Sequence, residues 1–89
     1  GKTLEFKENT QSLQKIVQTV IAFANTAGGV LLIGVRNETK EVIGLSNVLQ
    51  EEEKIANAIA DSVTPLIIPK LQFCSWRGRD LLIVTVPYS

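Results

Sequence analysis

Polar and apolar residues alternate at the start of the chain and predict a short strand over residues 3–7. Leu4 and Phe6 are expected to point into the core. Glu5 and Lys7 share the opposite face, because strand side chains repeat every second residue. The strand therefore displays two charged side chains together on one surface.

A helical repeat follows the strand, because apolar residues recur at spacings of three and four, which is typical of an amphipathic helix. The repeat consists of Leu13, Ile16, Val17, Val20, Ile21 and Ala24, and Phe23 and Ala27 widen it. Asn9 or Thr10 can cap the start of this helix, and Gly28 and Gly29 can end it.

An unbroken apolar run over residues 30–35 is too short for a helix. It predicts a strand that is buried on both faces and central in its sheet. The polar residues 36–40 and the short segment 41–44 then predict a hairpin with a charged tip.

A second helix is predicted from a cap at Ser46 or Asn47 to Val63, with Ile55 and Ile59 on its buried stripe. Pro65 and Pro69 follow it, and proline cannot continue a helix.

Two further strands are predicted over residues 71–76 and 80–86, joined by the tight turn Arg77-Gly78-Arg79. The predicted order is strand-helix-strand-strand-helix-strand-strand. This order indicates an α/β (α+β) two-layer sandwich, in which helices cover one face of a mixed, mostly antiparallel sheet. Residues 1–89 have the length of a single domain. We expect the strand over 80–86 to be an exposed edge that could pair between subunits of a homodimer.

Charge and composition exclude several classes of function. Nine Lys and Arg residues balance nine Asp and Glu residues, so strong non-specific coating of DNA is not expected. The chain has no His, which excludes zinc–His sites and His general bases. The single Cys74, interpreted as core or neutral filler, indicates a reducing, cytoplasmic compartment. No apolar run is long enough to cross a membrane, so no membrane partner is expected.

The cations are concentrated in predicted turns, which suggests a positive edge on a neutral protein. Arg36 and Lys40 lie at one tip, Arg77 and Arg79 lie at the other, and an acidic run over residues 51–53 lies on a helix. Such cations can contact phosphates, although solvated turns of this composition are also common. Trp76 could stack on a base, but half-buried packing is the favoured interpretation of a single strand tryptophan beside a turn.

Four segments resemble the Schlafen-type AlbA domain: LEFKE at residues 4–8, AFANTAGG at 22–29, LIGV at 32–35 and VIGL at 42–45. The resemblance extends over essentially the whole chain. The motif residues are Glu5, Lys7, Asn25, Gly28, Gly29, Gly34 and Gly44. Because family members continue beyond residue 89, and the chain begins with Gly and has no Met, we expect it to be truncated at both ends.

The resemblance implies that the domain associates with nucleic acid, as a DNA-binding module of prokaryotic transcriptional regulators and helicase-related proteins. The residues expected to bind nucleic acid are Lys7, Arg36, Lys40, Arg77 and Arg79. No cofactor is expected.

A vertebrate branch of the same family implies an alternative, a metal-dependent ribonuclease that uses two glutamates and an aspartate. Glu5 matches the second glutamate, the first would precede Gly1, and Asn37 stands at the best match for the aspartate. An amide binds hard divalent cations more weakly than a carboxylate does, so we expect no catalytic residue and no metal site. A dimerisation or regulatory platform without nucleic-acid contact is a further alternative.

Overall fold

The computed structural model describes residues 3–62 and 67–88, which form six elements. The strands are β1 (Thr3–Lys7), β2 (Gly29–Ile33), β3 (Lys70–Trp76) and β4 (Arg79–Val86), and the helices are α1 (Leu13–Asn25) and α2 (Val48–Ser62). The four strands form one sheet in the order β1-β2-β4-β3. β1 and β2 are parallel, and the other two pairs are antiparallel. The predicted mixed α+β fold is confirmed.

Both helices pack on the same face of the sheet. Alternate residues of β2 and β4, such as Leu31 and Val84, are fully buried beneath them. The helical side of the core consists of Ile16, Val17, Val20, Phe23, Ala24, Ile55 and Ile59. The helical spacing read from the sequence therefore identified most of the buried stripes correctly. Ala27 was wrong, because it lies beyond the end of α1 and is exposed. Val63, predicted on the stripe of the second helix, lies outside the described residues.

The helix starts differ from each other in how they are capped. The Asn47 side chain accepts a hydrogen bond from the Gln50 backbone N–H at 3.1 Å, which confirms the cap expected for α2. Ser12 occupies the cap position of α1 without a side-chain bond, so the caps expected at Asn9 and Thr10 were wrong. Thr10 is instead buried and donates its hydroxyl hydrogen bond to Glu51.

The predicted strand over residues 41–44 is reduced to a single bridge between Val35 and Val42. Gly34 and Gly44 explain this difference, because their φ angles of 110° and 85° cannot continue an extended strand. The Ile43 and Gly44 N–H groups both donate to the Gly34 carbonyl oxygen, at 2.8 and 2.9 Å. The segment therefore folds back over the end of β2 and adds no fifth strand to the described sheet.

The sheet face opposite the helices is covered less than the sequence suggested. Leu4 and Phe6 pair in register with Val30 and Leu32 on this face, so their predicted inward orientation was wrong; Leu4 is 52% exposed and Phe6 is partly buried. Val30 and Leu32 are only partly buried, because both helices lie on the other side. Cys74 is also exposed and is not a core residue.

The edges of the sheet are β1 and β3, and β4 lies between β2 and β3. The expectation that residues 80–86 form an exposed edge was therefore wrong, because both sides of β4 are already paired. The open edge on this side belongs to β3. Neither described helix is both long and apolar enough to cross a membrane.

Candidate nucleic-acid interface

The topology brings the predicted cationic residues to one end of the sheet, here called the loop end (residues 7–8, 34–45 and 76–80). β1 and β2 run parallel and finish there, whereas β4 begins there and β3 ends there. The residues so grouped are Lys7, Arg36, Lys40, Arg77 and Arg79. The acidic residues Glu8, Glu38, Glu41 and Asp80 lie in the same segments, so the loop end is mixed in charge.

Backbone hydrogen bonds fix the shape of the loop end. The Gly34 and Val35 N–H groups donate to the Lys7 carbonyl oxygen at 2.7 and 3.1 Å. The Leu45 N–H donates to the backbone carbonyl oxygen of Asp80 at 2.8 Å. A Cβ on Gly44 would lie 3.0 Å from the Cβ of Arg79. The segment after β2 is thus held against both β1 and β4, which positions the charged side chains that it carries.

Arg36 is engaged by two carboxylates. Its Nε lies 3.1 Å from Glu8 Oε1, and its Nη1 lies 3.2 Å from Glu41 Oε1. These pairs are partly exposed, so each contributes little to stability. They nevertheless neutralise the charge of Arg36.

Lys40 lies over the partly exposed Phe6, with Nζ 4.6 Å from the ring centroid. Its Nζ also donates to the Asn37 carbonyl oxygen. Neither partner carries a negative charge, so Lys40 keeps its positive charge available at the loop end.

The β3–β4 hairpin presents the two remaining arginines. Trp76 and Arg79 are paired across a two-residue loop, Arg77-Gly78, whose φ angles are 50° and 76°. Two successive positive φ angles are typical of a type I′ turn, which usually contains Asn, Asp or Gly. Arg77 in this conformation costs on the order of 1–2 kcal/mol.

The side chains of this hairpin contact one another and the segment after β2. The guanidinium carbon of Arg77 lies 4.6 Å from the Trp76 ring centroid, and Arg79 Nη1 donates to the Ile43 carbonyl oxygen at 3.0 Å. Within residues 3–62 and 67–88, the ion pairs involve Arg36 and Lys54, and neither arginine of the hairpin is ion-paired. Both therefore retain their charge.

Trp76 is half-buried, in agreement with the exposure favoured from the sequence. It is 48% exposed and belongs to neither the buried core nor the side chains packed against it. Alternation along one strand cannot reveal which sheet face lacks a helix, so the sequence did not show that Trp76 lies on the face without described helices.

Glu5 and Asn37, the two positions matched to the ribonuclease branch, both line an open cleft of about 460 Å³ beside β1. Lys7 and Lys40 line the same cleft. A divalent cation would need several oxygen ligands with negative charge. Residues 3–62 and 67–88 contain no group of three His, Cys, Asp or Glu side chains arranged to hold a metal ion. Glu5, Glu8 and Glu38 line the cleft, but they do not converge as a set of metal ligands.

The other motif residues, Asn25, Gly28 and Gly29, lie at the opposite end of the sheet, where β2 begins and β4 finishes. A Cβ on Gly29 would lie 2.5 Å from the Phe23 ring, so only glycine fits between α1 and β2. Asn25 is exposed at the end of α1. This part of the motif is separated from the loop end, and its glycines serve packing.

The family model described as Schlafen, AlbA_2 matches residues 1–89, the whole chain. The chain belongs to this Schlafen AlbA_2 family. The AlbA_2 resemblance drawn from the motifs is thereby confirmed. The LEFKE and LIGV segments of this AlbA_2 domain both contribute to the loop end.

Solved structures include similar domains. The N-terminal domain of an ATP-dependent DNA helicase RecG-related protein from Nitrosomonas europaea is 29% identical to this AlbA_2 domain, with a TM-score of 0.81 over 97% of the present chain. The present chain spans 63% of that one. The DIP2311 protein from Corynebacterium diphtheriae is 22% identical with a TM-score of 0.70, over 99% of this chain and 21% of its own, and shows the same fold.

Proposed function

We propose that this AlbA_2 domain binds nucleic acid, preferably DNA, through the loop end. The single observation that carries the proposal is the β3–β4 hairpin, which displays Arg77 and Arg79 without carboxylate partners among the described residues. Family membership and the helicase-related name of the Nitrosomonas europaea protein support it.

The five cations contribute unequally in this proposal. Arg77 and Arg79 contact phosphates, Lys7 and Lys40 add contacts along the neighbouring cleft, and Arg36 contributes least because Glu8 and Glu41 neutralise it. Contacts to phosphates position a protein but do not read sequence. The domain would therefore act as a positioning module of a cytoplasmic, prokaryotic transcriptional regulator, in which other parts provide sequence preference.

The test measures binding of the full chain to a labelled duplex by fluorescence anisotropy at low salt. We expect the double variant Arg77→Ala/Arg79→Ala to lose at least ten-fold in affinity, because each arginine neutralises phosphate charge. The matched control Lys15→Ala/Lys70→Ala removes the same charge from two exposed lysines outside the loop end. Absence of binding by the parent chain to both the duplex and a single strand of the same length, or equal losses in the two double variants, would overturn the proposal.

A second candidate function is homodimerisation through the open edge of β3. Phe73 is 49% exposed at the centre of this strand. Ile59, Ile67 and Ile68 line an apolar groove of about 200 Å³ that extends to Leu71 of β3. Exposed apolar edge strands are prone to pair with another chain.

Antiparallel pairing of β3 with its own copy would place Phe73 opposite Phe73 of the second chain. Phe73→Glu would then bring two carboxylates together and weaken the dimer. Sedimentation velocity over a range of concentrations measures this, with Asn57→Glu on exposed helix surface as the control. A parent chain that stays monomeric at all concentrations would eliminate this candidate.

A further inference from the structure

Trp76 is not accounted for by the packing of the core. It is the last residue of β3 and lies on the sheet face that carries no described helix, since Arg79 and Cys74 are its neighbours there. Nearly half of its surface is exposed, at 48%, and it contributes nothing to the core cluster. A large aromatic ring displayed in this way is available to a ligand.

Arg77 is held over this ring by an unfavourable backbone conformation. Its φ of 50° belongs to the left-handed region, which Gly, Asn and Asp occupy more readily. Unfavourable backbone conformations cluster at functional sites, which makes Arg77 a candidate for a functional side chain. The result is a guanidinium 4.6 Å from the indole centroid.

Arg79 provides a second cation on the neighbouring strand. It is the cross-strand partner of Trp76, and its guanidinium donates a hydrogen bond to the Ile43 carbonyl oxygen. Arg77 thus lies over the ring and Arg79 lies across the hairpin from it, and neither is ion-paired within the part of the chain that the structure describes. One aromatic surface next to two cations matches the chemistry of one nucleotide, which has a flat base and an anionic phosphate.

We propose that Trp76, Arg77 and Arg79 form a binding site for one unpaired nucleotide. The base displaces the Arg77 guanidinium from the indole of Trp76 and stacks there, and the two arginines contact the phosphates on either side. This inference rests on the proposed nucleic-acid binding and specifies its substrate class. Bases inside a duplex are already stacked on their neighbours, so the site selects single strands or unpaired ends.

Trp76 is the only tryptophan of the chain, so its fluorescence reports on this site alone. The experiment titrates the full chain with an oligothymidylate of about 12 nucleotides and, separately, with a blunt duplex of the same length. We expect the single strand to quench the fluorescence and to bind several-fold more tightly than the duplex. The duplex is expected to quench the fluorescence less than the single strand does, because only the base pairs at its ends can open.

Variants separate stacking from charge. Trp76→Ala is expected to bind the single strand about ten-fold more weakly, whereas Trp76→Phe retains most of the affinity because it keeps an aromatic face. Heparin provides anionic charge without bases, and Trp76→Ala should bind it as the parent does. Circular dichroism checks that the variants fold, which we expect because Trp76 is absent from the core.

The outcomes distinguish the two proposals. Single-strand binding without quenching, tighter binding to the duplex, or equal affinity of Trp76→Ala and the parent would overturn the stacking site and leave nucleic-acid binding intact. If neither oligonucleotide binds the parent chain, both proposals fail. Quenching by the single strand together with the ten-fold loss in Trp76→Ala supports both.

Discussion

Gly28 and Gly78 have almost the same backbone conformation, with φ of 77° and 76°, but different surroundings. A Cβ on Gly28 would lie 2.7 Å from the Val86 carbonyl oxygen, whereas nothing lies within 4 Å of one on Gly78. We expect Gly78→Ala to lower the free energy of unfolding by about 1 kcal/mol, the cost of the left-handed conformation. Gly28→Ala adds a backbone clash, for a total of roughly 3 kcal/mol. Urea denaturation measures both, and equal losses would contradict the close approach of Gly28 to the end of β4.

At the same scale, substitution of Arg36 tests whether an ion-paired cation contributes less to nucleic-acid affinity than an unpaired one. Because its ion pairs with Glu8 and Glu41 are partly exposed, Arg36→Ala should change the free energy of unfolding by less than about 1 kcal/mol. The same variant should weaken duplex binding less than Arg77→Ala does. Urea denaturation and fluorescence anisotropy provide the two measurements. A larger loss of affinity for Arg36→Ala would show that ligand displaces the two carboxylates.

At the scale of elements, one substitution in the β3–β4 hairpin is expected to raise stability and to lower affinity for nucleic acid. Arg77→Asn places a residue that tolerates positive φ in the turn, so it should raise the free energy of unfolding by about 0.5–1 kcal/mol. It also removes one unpaired cation and the contact with Trp76, so affinity for nucleic acid should fall. Urea denaturation and anisotropy on the same sample test the pair of effects. A variant that is more stable and binds as well as the parent would show that Arg77 has no role in binding.

The elements also show where sequence reasoning succeeded and where it could not. The α1 stripe was predictable because the 3.6-residue repeat is a local property, and Val20 and Ala24 are indeed fully buried. The segment 41–44 had strand-like composition, but the positive φ of Gly44 turns the chain there. Glycine adopts positive and negative φ about equally readily, so the sequence does not show whether the chain turns at a given glycine.

For the whole molecule, chain order did not determine sheet order. The last strand, β4, lies inside the sheet between β2 and β3, and β3, which precedes it in the chain, forms the edge. The sequence grouped the cations by turn, and the topology then placed both turns at one end of the sheet. The two carboxylates that hold Arg36 were not foreseeable as a pair, because Glu8 is distant from it along the chain. The sequence thus identified which cations belong to the candidate site, but not which of them are paired with carboxylates.

The balance of charge over the whole chain leads to a quantitative expectation for binding. Since the net charge is +0, the proposed attraction to DNA comes from a local group of cations and not from the molecule as a whole. Each phosphate neutralised contributes about −0.9 to the slope of log affinity against log salt concentration. Contacts by Arg77, Arg79, Lys7 and Lys40 would give a slope of roughly −3.6, and the Arg77→Ala/Arg79→Ala variant roughly −1.8. Anisotropy titrations between about 50 and 200 mM salt measure both slopes. An unchanged slope in the variant would place the phosphate contacts away from the β3–β4 hairpin.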